Sequence, residues 1–218
     1  MFEILDRLER FYGPIPLPPS EPFALFVWAV LSARTSAVRR DAAMSALRRI
    51  PALTPDAMAS VARAKLDSAV ALAGPHRDER LRALAAGVEA FKRNRDLPRK
   101  LRGDIDTARD ALPLLPHLTN IERDWILLFA GGQTVFPDDP QMRRVLSRVG
   151  RGDDVADQLG GVLTAVQRAV LYLSHHARFT CVEADPVCHI CPLRSDCPYP
   201  AAQMRRIGAP DLQRGGAV

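Results

Sequence analysis

Residues 115–148 read LPHLTNIERDWILLFAGGQTVFPDDPQMRRVLSR, and two helix starts are written into them. Thr119-Asn120-Ile121-Glu122 is a T-x-x-E capping box, in which the Thr hydroxyl accepts a first-turn N–H and the Glu reaches back. A helix is predicted from about 120 to 131. Asp139 before Pro140 is an N-cap and first-turn pair, so a second helix is predicted from Pro140 to Val149, with Gly150 past its end. A helix would want a carboxylate at 139 with no chemistry involved. Leu115 to Thr119 joins this stretch to a short helix at about 106–112.

The same grammar extends both ways. Phe2, Leu5, Leu8 and Phe11 stripe a first helix that stops before Gly13 and the proline-rich link 14–19. Pro22 starts a segment apolar nearly all round (Phe23, Phe26, Val27, Val30, Leu31), as expected of a central helix. Further helices are predicted at about 37–49, 55–62, 65–73, 77–93 and 162–177, with 93–102 an Arg- and Pro-rich linker. Strand alternation persists nowhere. The fold class read from the chain is all-α.

All four cysteines, Cys181, Cys188, Cys191 and Cys197, lie in one stretch with spacing C-x6-C-x2-C-x5-C. Four converging thiolates can hold a four-iron four-sulfur cluster. A four-thiolate zinc site is the alternative, although structural zinc sites usually pair two short knuckles. Disulfides rank lower, since the sequence carries no signal peptide pattern and no other cysteine to pair with. Free thiolates argue for a reducing interior, and cytoplasm is the expected location.

The chain has 218 residues, 47% hydrophobic, enough for one sizeable core or two modest ones. No apolar run is long enough to span a membrane. The net charge of +5 favours a polyanionic partner without proving one. Only Lys65, Lys92 and Lys100 among the 30 basic residues are lysines, so no side-chain primary amine follows Lys100.

Residues 115–148 resemble the helix-hairpin-helix and aspartate segment of the endonuclease III family of DNA glycosylases, which usually shows LPGVGRKTA, a helix, then VDTHVxRV. LSARTS (31–36) is similar to that family's LSAQTT, and HARFTC (176–181) leads into a cysteine loop with the family's spacing. The resemblance implies a two-lobed helix-hairpin-helix DNA glycosylase fold: a six-helix barrel lobe over 22–133, and an iron-sulfur cluster lobe from 1–21 and 134–218. It implies a 4Fe-4S cluster on Cys181, Cys188, Cys191 and Cys197. The implied partner is double-stranded DNA containing a damaged or mismatched base, bound by a monomer. The target nucleotide would be rotated out of the duplex into a cleft between the lobes.

The same alignment exposes departures. Asp139 falls on the family's catalytic aspartate, whereas Ile121, eighteen residues upstream, falls on its catalytic lysine. Isoleucine has no lone pair and can form no Schiff base. Lys65, Lys92, Lys100 or the amine of Met1 would have to replace it. Asp139 alone could still align a water and stabilise a cationic sugar. The implied activity is therefore hydrolysis of the N-glycosidic bond in base excision repair, with AP-lyase activity weak or absent. The alternative is a catalytically impaired paralogue that recognises damaged or distorted DNA. His117 and Thr119 replace the hairpin glycines, and Glu122 places a carboxylate where a phosphate would dock. Arg34 stands where a glutamine fills the gap left by the flipped nucleotide, and the turn Gly74-Pro75-His76 stands at a second wedge. Arg143, Arg144 and Arg148 are expected to track backbone phosphates.

Overall fold

The computed structural model describes residues 1–152 and 154–200, and these form helices without a strand among the described residues. In order they are α1 (Phe2–Tyr12), α2 (Pro22–Ser32), α3 (Ala37–Arg49), α4 (Pro55–Ser60), α5 (Arg63–Ala71), α6 (Arg77–Arg93), α7 (Leu97–Leu101), α8 (Ile105–Ala111), α9 (Asn120–Ile126), α10 (Pro140–Arg148), α11 (Val155–Gln158) and α12 (Leu163–Phe179). The all-α reading stands. None of the described helices is long and apolar enough to cross a membrane.

Caps explain most boundaries. The side chains of Ser36, Thr54, Asp104, Thr119 and Asp139 accept first-turn N–H groups of α3, α4, α8, α9 and α10. Two short helices depart from the sequence reading. Within the supposed linker, α7 forms because Leu97 and Leu101, one turn apart, are both fully buried. Close after Gly150 to Gly152, α11 buries Val155. The helix expected over 120–131 is α only to Ile126. Its last turn, Leu127–Gly131, widens to a π turn ending at Gly132 in the left-handed region.

Contacts divide the chain into two compact units. The first joins Met1–Ile15 to the described residues from Asp138 onward; α12 is its spine, flanked by α1 and α10. Leu5 and Leu8 on α1, Met142, Val145 and Leu146 on α10, and Val166, Val170 and Leu173 on α12 are buried. The second unit spans Pro16–Pro137 and is organised on α2, which packs on α3, α6, α7 and α9. Nine of its eleven residues are buried, as the all-round apolar pattern requires. Phe26 lies against Phe23 and Phe91, and α6 offers Gly87 at the closest approach. On the other side Trp28 stacks on Trp125, which meets the Phe129 ring at a tilt, with the Arg40 guanidinium 4.5 Å above Trp28.

Candidate functional site

The chemistry-bearing residues gather at three places, one in the second unit and two in the first. In the second unit, a cavity of about 310 Å3 is lined by Arg34, His76, Glu79, Arg80, His117, Thr119 and Glu122 over the apolar side chains of Val30 and Ala83. Arg34 therefore meets His117 and Thr119, which lie more than eighty residues further along the sequence. The turn carrying His76 meets them. Arg34, His76 and His117 are also the non-glycine residues with positive φ among the described residues, at 52°, 70° and 59°. Side chains with a Cβ adopt this region at a cost, and such strain concentrates where a site needs it.

Arg80 holds this region together. It is 3% exposed, although it stands on the stripe of α6 that also buries Leu84, Gly87, Val88 and Phe91. Its guanidinium donates to the Ala33 carbonyl at 2.6 Å, to the Gly74 carbonyl at 3.4 Å and to the Pro75 carbonyl. One cation thus ties the turn bearing Arg34 to the turn bearing His76. Burial lowers its affinity for the proton, with Glu79 opposing, and its Nε has no partner among the described residues. An arginine at a core-stripe position of α6 is the sequence signal of this role.

The hairpin turn is built as its capping box requires. Thr119 N–H donates to Glu122 Oε2 at 2.7 Å, Thr119 Oγ1 lies 2.9 Å from the same oxygen, and Glu122 N–H donates to Thr119 Oγ1 at 3.3 Å. The Glu122 carboxylate therefore occupies donors that an anion would otherwise take. His117 adopts the left-handed turn conformation that glycine takes most cheaply. Ile121, on the first turn of α9, is half-buried. Lys92 and Lys100 pair with Asp56 at 3.9 Å and Asp96 at 2.9 Å, and Lys65 is exposed.

In the first unit, Asp139 caps α10. Its Oδ1 accepts from the Gln141 N–H at 2.7 Å, and the side chain is half-buried. Asp138 beside it is exposed and pairs with Arg143. Arg144 and Arg148, on the same helix, turn the other way. Arg144 donates to the carbonyls of Cys181 (3.1 Å) and Ala177 (3.0 Å). Arg148 donates to those of Val182 (2.6 Å) and Glu183 (2.9 Å), and its guanidinium lies 4.1 Å over the Tyr199 ring. Both guanidinium groups serve the cysteine loop, satisfying carbonyls that irregular backbone leaves unpaired.

The cysteine loop forms the third place. Cys181, Cys188, Cys191 and Cys197 line one enclosed cavity together with Arg148, His176, Thr180 and Tyr199. None of the four is in a disulfide. Among the described residues no group of three or more His, Cys, Asp or Glu is drawn close enough to hold a single metal ion. One zinc ion would need its sulfurs within about 4 Å of one another, given Zn–S bonds of about 2.3 Å. Burial pushes the Cys191 thiol up to about 11 and raises Cys188 and Cys197, so a cationic centre bound here would have to displace protons.

A buried polar chain lies behind this cavity. The Tyr12 hydroxyl is 2.7 Å from His176 Nδ1 and 2.6 Å from Thr180 Oγ1, and His176 Nε2 is 3.7 Å from Cys191 Sγ. Desolvation pushes His176 down to about 4, so its ring is neutral at physiological pH. His176 lies in the HARFTC stretch, yet its contact with a cysteine depends on the loop folding back over α12.

No protein-family model matches the chain. Its fold does recur among solved structures. A non-covalent endonuclease III–DNA complex is 20% identical with a TM-score of 0.67, covering 94% of this chain and 96% of that one. A thermostable thymine-DNA glycosylase is 14% identical with a TM-score of 0.65, covering 92% and 96%. The 3-methyladenine DNA glycosylase of H. pylori, bound to 1,N6-ethenoadenine, is 15% identical with a TM-score of 0.63, covering 81% and 96%. Over nearly its whole length the chain therefore has the fold of the helix-hairpin-helix DNA glycosylases.

Proposed function

We propose that the protein is a DNA glycosylase of base excision repair that hydrolyses the N-glycosidic bond of a damaged or mismatched base without cutting the strand. The observation that carries this reading is Asp139. It is a half-buried carboxylate at the start of α10 that holds one backbone N–H through Oδ1, in a fold shared with three solved structures of named glycosylases or their DNA complexes.

The chemistry asks little else of the protein. As the base departs, the sugar gains positive charge, which a fixed carboxylate stabilises while it orients the attacking water. The Gln141 N–H, donating to Oδ1, fixes the orientation of the Asp139 carboxylate. A covalent route needs an amine, and the position aligned with the lysine is Ile121. Hydrolysis by water is the pathway left to these residues. DNA contacts are assigned to Arg34, His117, Thr119 and Arg143. Glu122 weakens phosphate docking at the hairpin, because its carboxylate already accepts the Thr119 N–H while the Thr119 hydroxyl accepts the Glu122 N–H.

The cysteine loop fits a 4Fe-4S cluster better than a zinc ion. Its spacing C-x6-C-x2-C-x5-C and the common cavity that the four cysteines border support this reading. Cys181, Cys188, Cys191 and Cys197 would hold such a cluster, which would cross-link the loop whose carbonyls Arg144 and Arg148 satisfy.

Single-turnover base release over a panel of lesion-containing duplexes, comparing wild type with Asp139→Asn, tests this reading. Release by the wild type and its loss in the variant are expected. Tight DNA binding with no release from any lesion would instead establish a recognition protein, and a strong borohydride-trapped adduct on an abasic-site duplex would restore a lyase.

A further inference from the structure

We propose that His176 donates a hydrogen bond from Nε2 to the Cys191 sulfur and so raises the reduction potential of the cluster, with Tyr12 and Thr180 holding the ring in the donating tautomer; this rests on the cluster reading above. His176 Nε2 lies 3.7 Å from Cys191 Sγ. On the ring's other side Nδ1 lies 2.7 Å from the Tyr12 hydroxyl, which is itself 2.6 Å from Thr180 Oγ1. His176 and Thr180 are 1% and 3% exposed, so no solvent competes for these bonds. The His176 carbonyl also accepts the N–H groups of Thr180 and Cys181, at 3.0 and 2.8 Å. The end of α12 thereby fixes the ring against the start of the cysteine loop, and all of these residues belong to the first unit.

A metal-bound thiolate at Cys191 sets the sense of the chain. Such a sulfur has lone pairs and no proton to give, so the hydrogen between it and the ring belongs to Nε2. Nδ1 of the neutral ring is then a bare acceptor. The Tyr12 O–H fills it, and the Tyr12 oxygen accepts in turn from Thr180, so each donor meets one acceptor. A hydrogen bond to a ligating sulfur withdraws charge that the sulfur would otherwise give to iron, which favours the state carrying one more electron. Arg148 Nη1 also reaches a ligand, Cys181 Sγ, at 3.4 Å, but that guanidinium is shared with the loop carbonyls. His176 acts through Cys191 and is a positioning residue; Tyr12 and Thr180 orient it.

Equilibrium redox titration of the brown full-length protein measures the effect. His176→Leu should shift the midpoint potential downward, and Tyr12→Phe should do so by a smaller amount. His176→Gln should stay close to wild type, because its amide nitrogen reaches the place of Nε2 and still donates. With histidine nitrogen isotopically labelled, hyperfine spectroscopy of the reduced, paramagnetic cluster should show a coupled ring nitrogen that His176→Leu abolishes. That signal separates a hydrogen bond from a change in local polarity. Where His176→Leu takes up no iron, Tyr12→Phe decides. A potential unmoved in these variants, or a wild-type spectrum without the histidine coupling, overturns the proposal and leaves the cluster standing. A colourless wild-type protein with one zinc per chain overturns the cluster reading as well.

Discussion

Asp139 carries two roles that a single substitution can separate. Asparagine caps a helix about as well as aspartate, whereas alanine removes the cap and costs about 1 kcal/mol. Asp139→Asn should therefore leave the melting temperature nearly unchanged while base release falls by roughly 100-fold or more. Asp139→Ala should lose both, and a variant pair that loses stability only would reduce the residue to a cap. Asp124 offers an independent check on burial. Desolvation raises its carboxyl above the ordinary range, with Arg109 opposing. The folded state then holds this proton more tightly than the unfolded chain does. Its contribution favours the fold at low pH and disappears as pH rises from about 3.9 through the raised folded value. Asp124→Asn should raise the melting temperature at pH 7 and flatten the pH profile above 4.

Helices α2 and α6 meet where there is no room for a side chain. A Cβ on Gly87 would stand 2.0 Å from Phe26 Cε1, and Phe26 is fully buried among Phe23 and Phe91. Alanine is the better helix former by about 1 kcal/mol, yet overpacking costs about 1–3 kcal/mol. Gly87→Ala should destabilise the protein in urea unfolding; a stabilised variant would mean that the ring relaxes freely. On α10, successive arginines divide between two tasks. Arg143 is exposed beside Asp138, whereas Arg144 is bonded to the Cys181 and Ala177 carbonyls. Arg143→Ala should lower the log-log salt slope of DNA affinity by about 0.9 with little change in stability. Arg144→Ala should do the opposite. Titrations at several salt concentrations, paired with melting curves, distinguish them.

At the scale of the molecule, the cysteine loop tests the cofactor. Purified protein should be brown, with about four irons per chain, as a cubane cluster requires. Replacing any one of Cys181, Cys188, Cys191 or Cys197 by alanine should bleach the absorption and lower stability, since cluster binding is coupled to folding of the loop. One zinc per colourless chain would exchange the cluster for a single-ion site.

Local chemistry made much of this protein legible before any fold was known. Caps such as Thr119 and Asp139, proline starts such as Pro22, and apolar stripes act within one or two turns, so the sequence determined an all-helical chain and most of its helix boundaries. The same short range made the T-x-x-E box at the hairpin readable to the atom. What lies beyond that range was decided by packing. Leu97 and Leu101 make a helix of a supposed linker because there is a core to receive them. Arg80 is a buried staple because two distant turns converge on it, and Arg144 bonds loop carbonyls because α10 lies against the end of α12. A hydrogen-bond partner dozens of residues away leaves no mark on the local pattern, and only the tertiary structure brings it near.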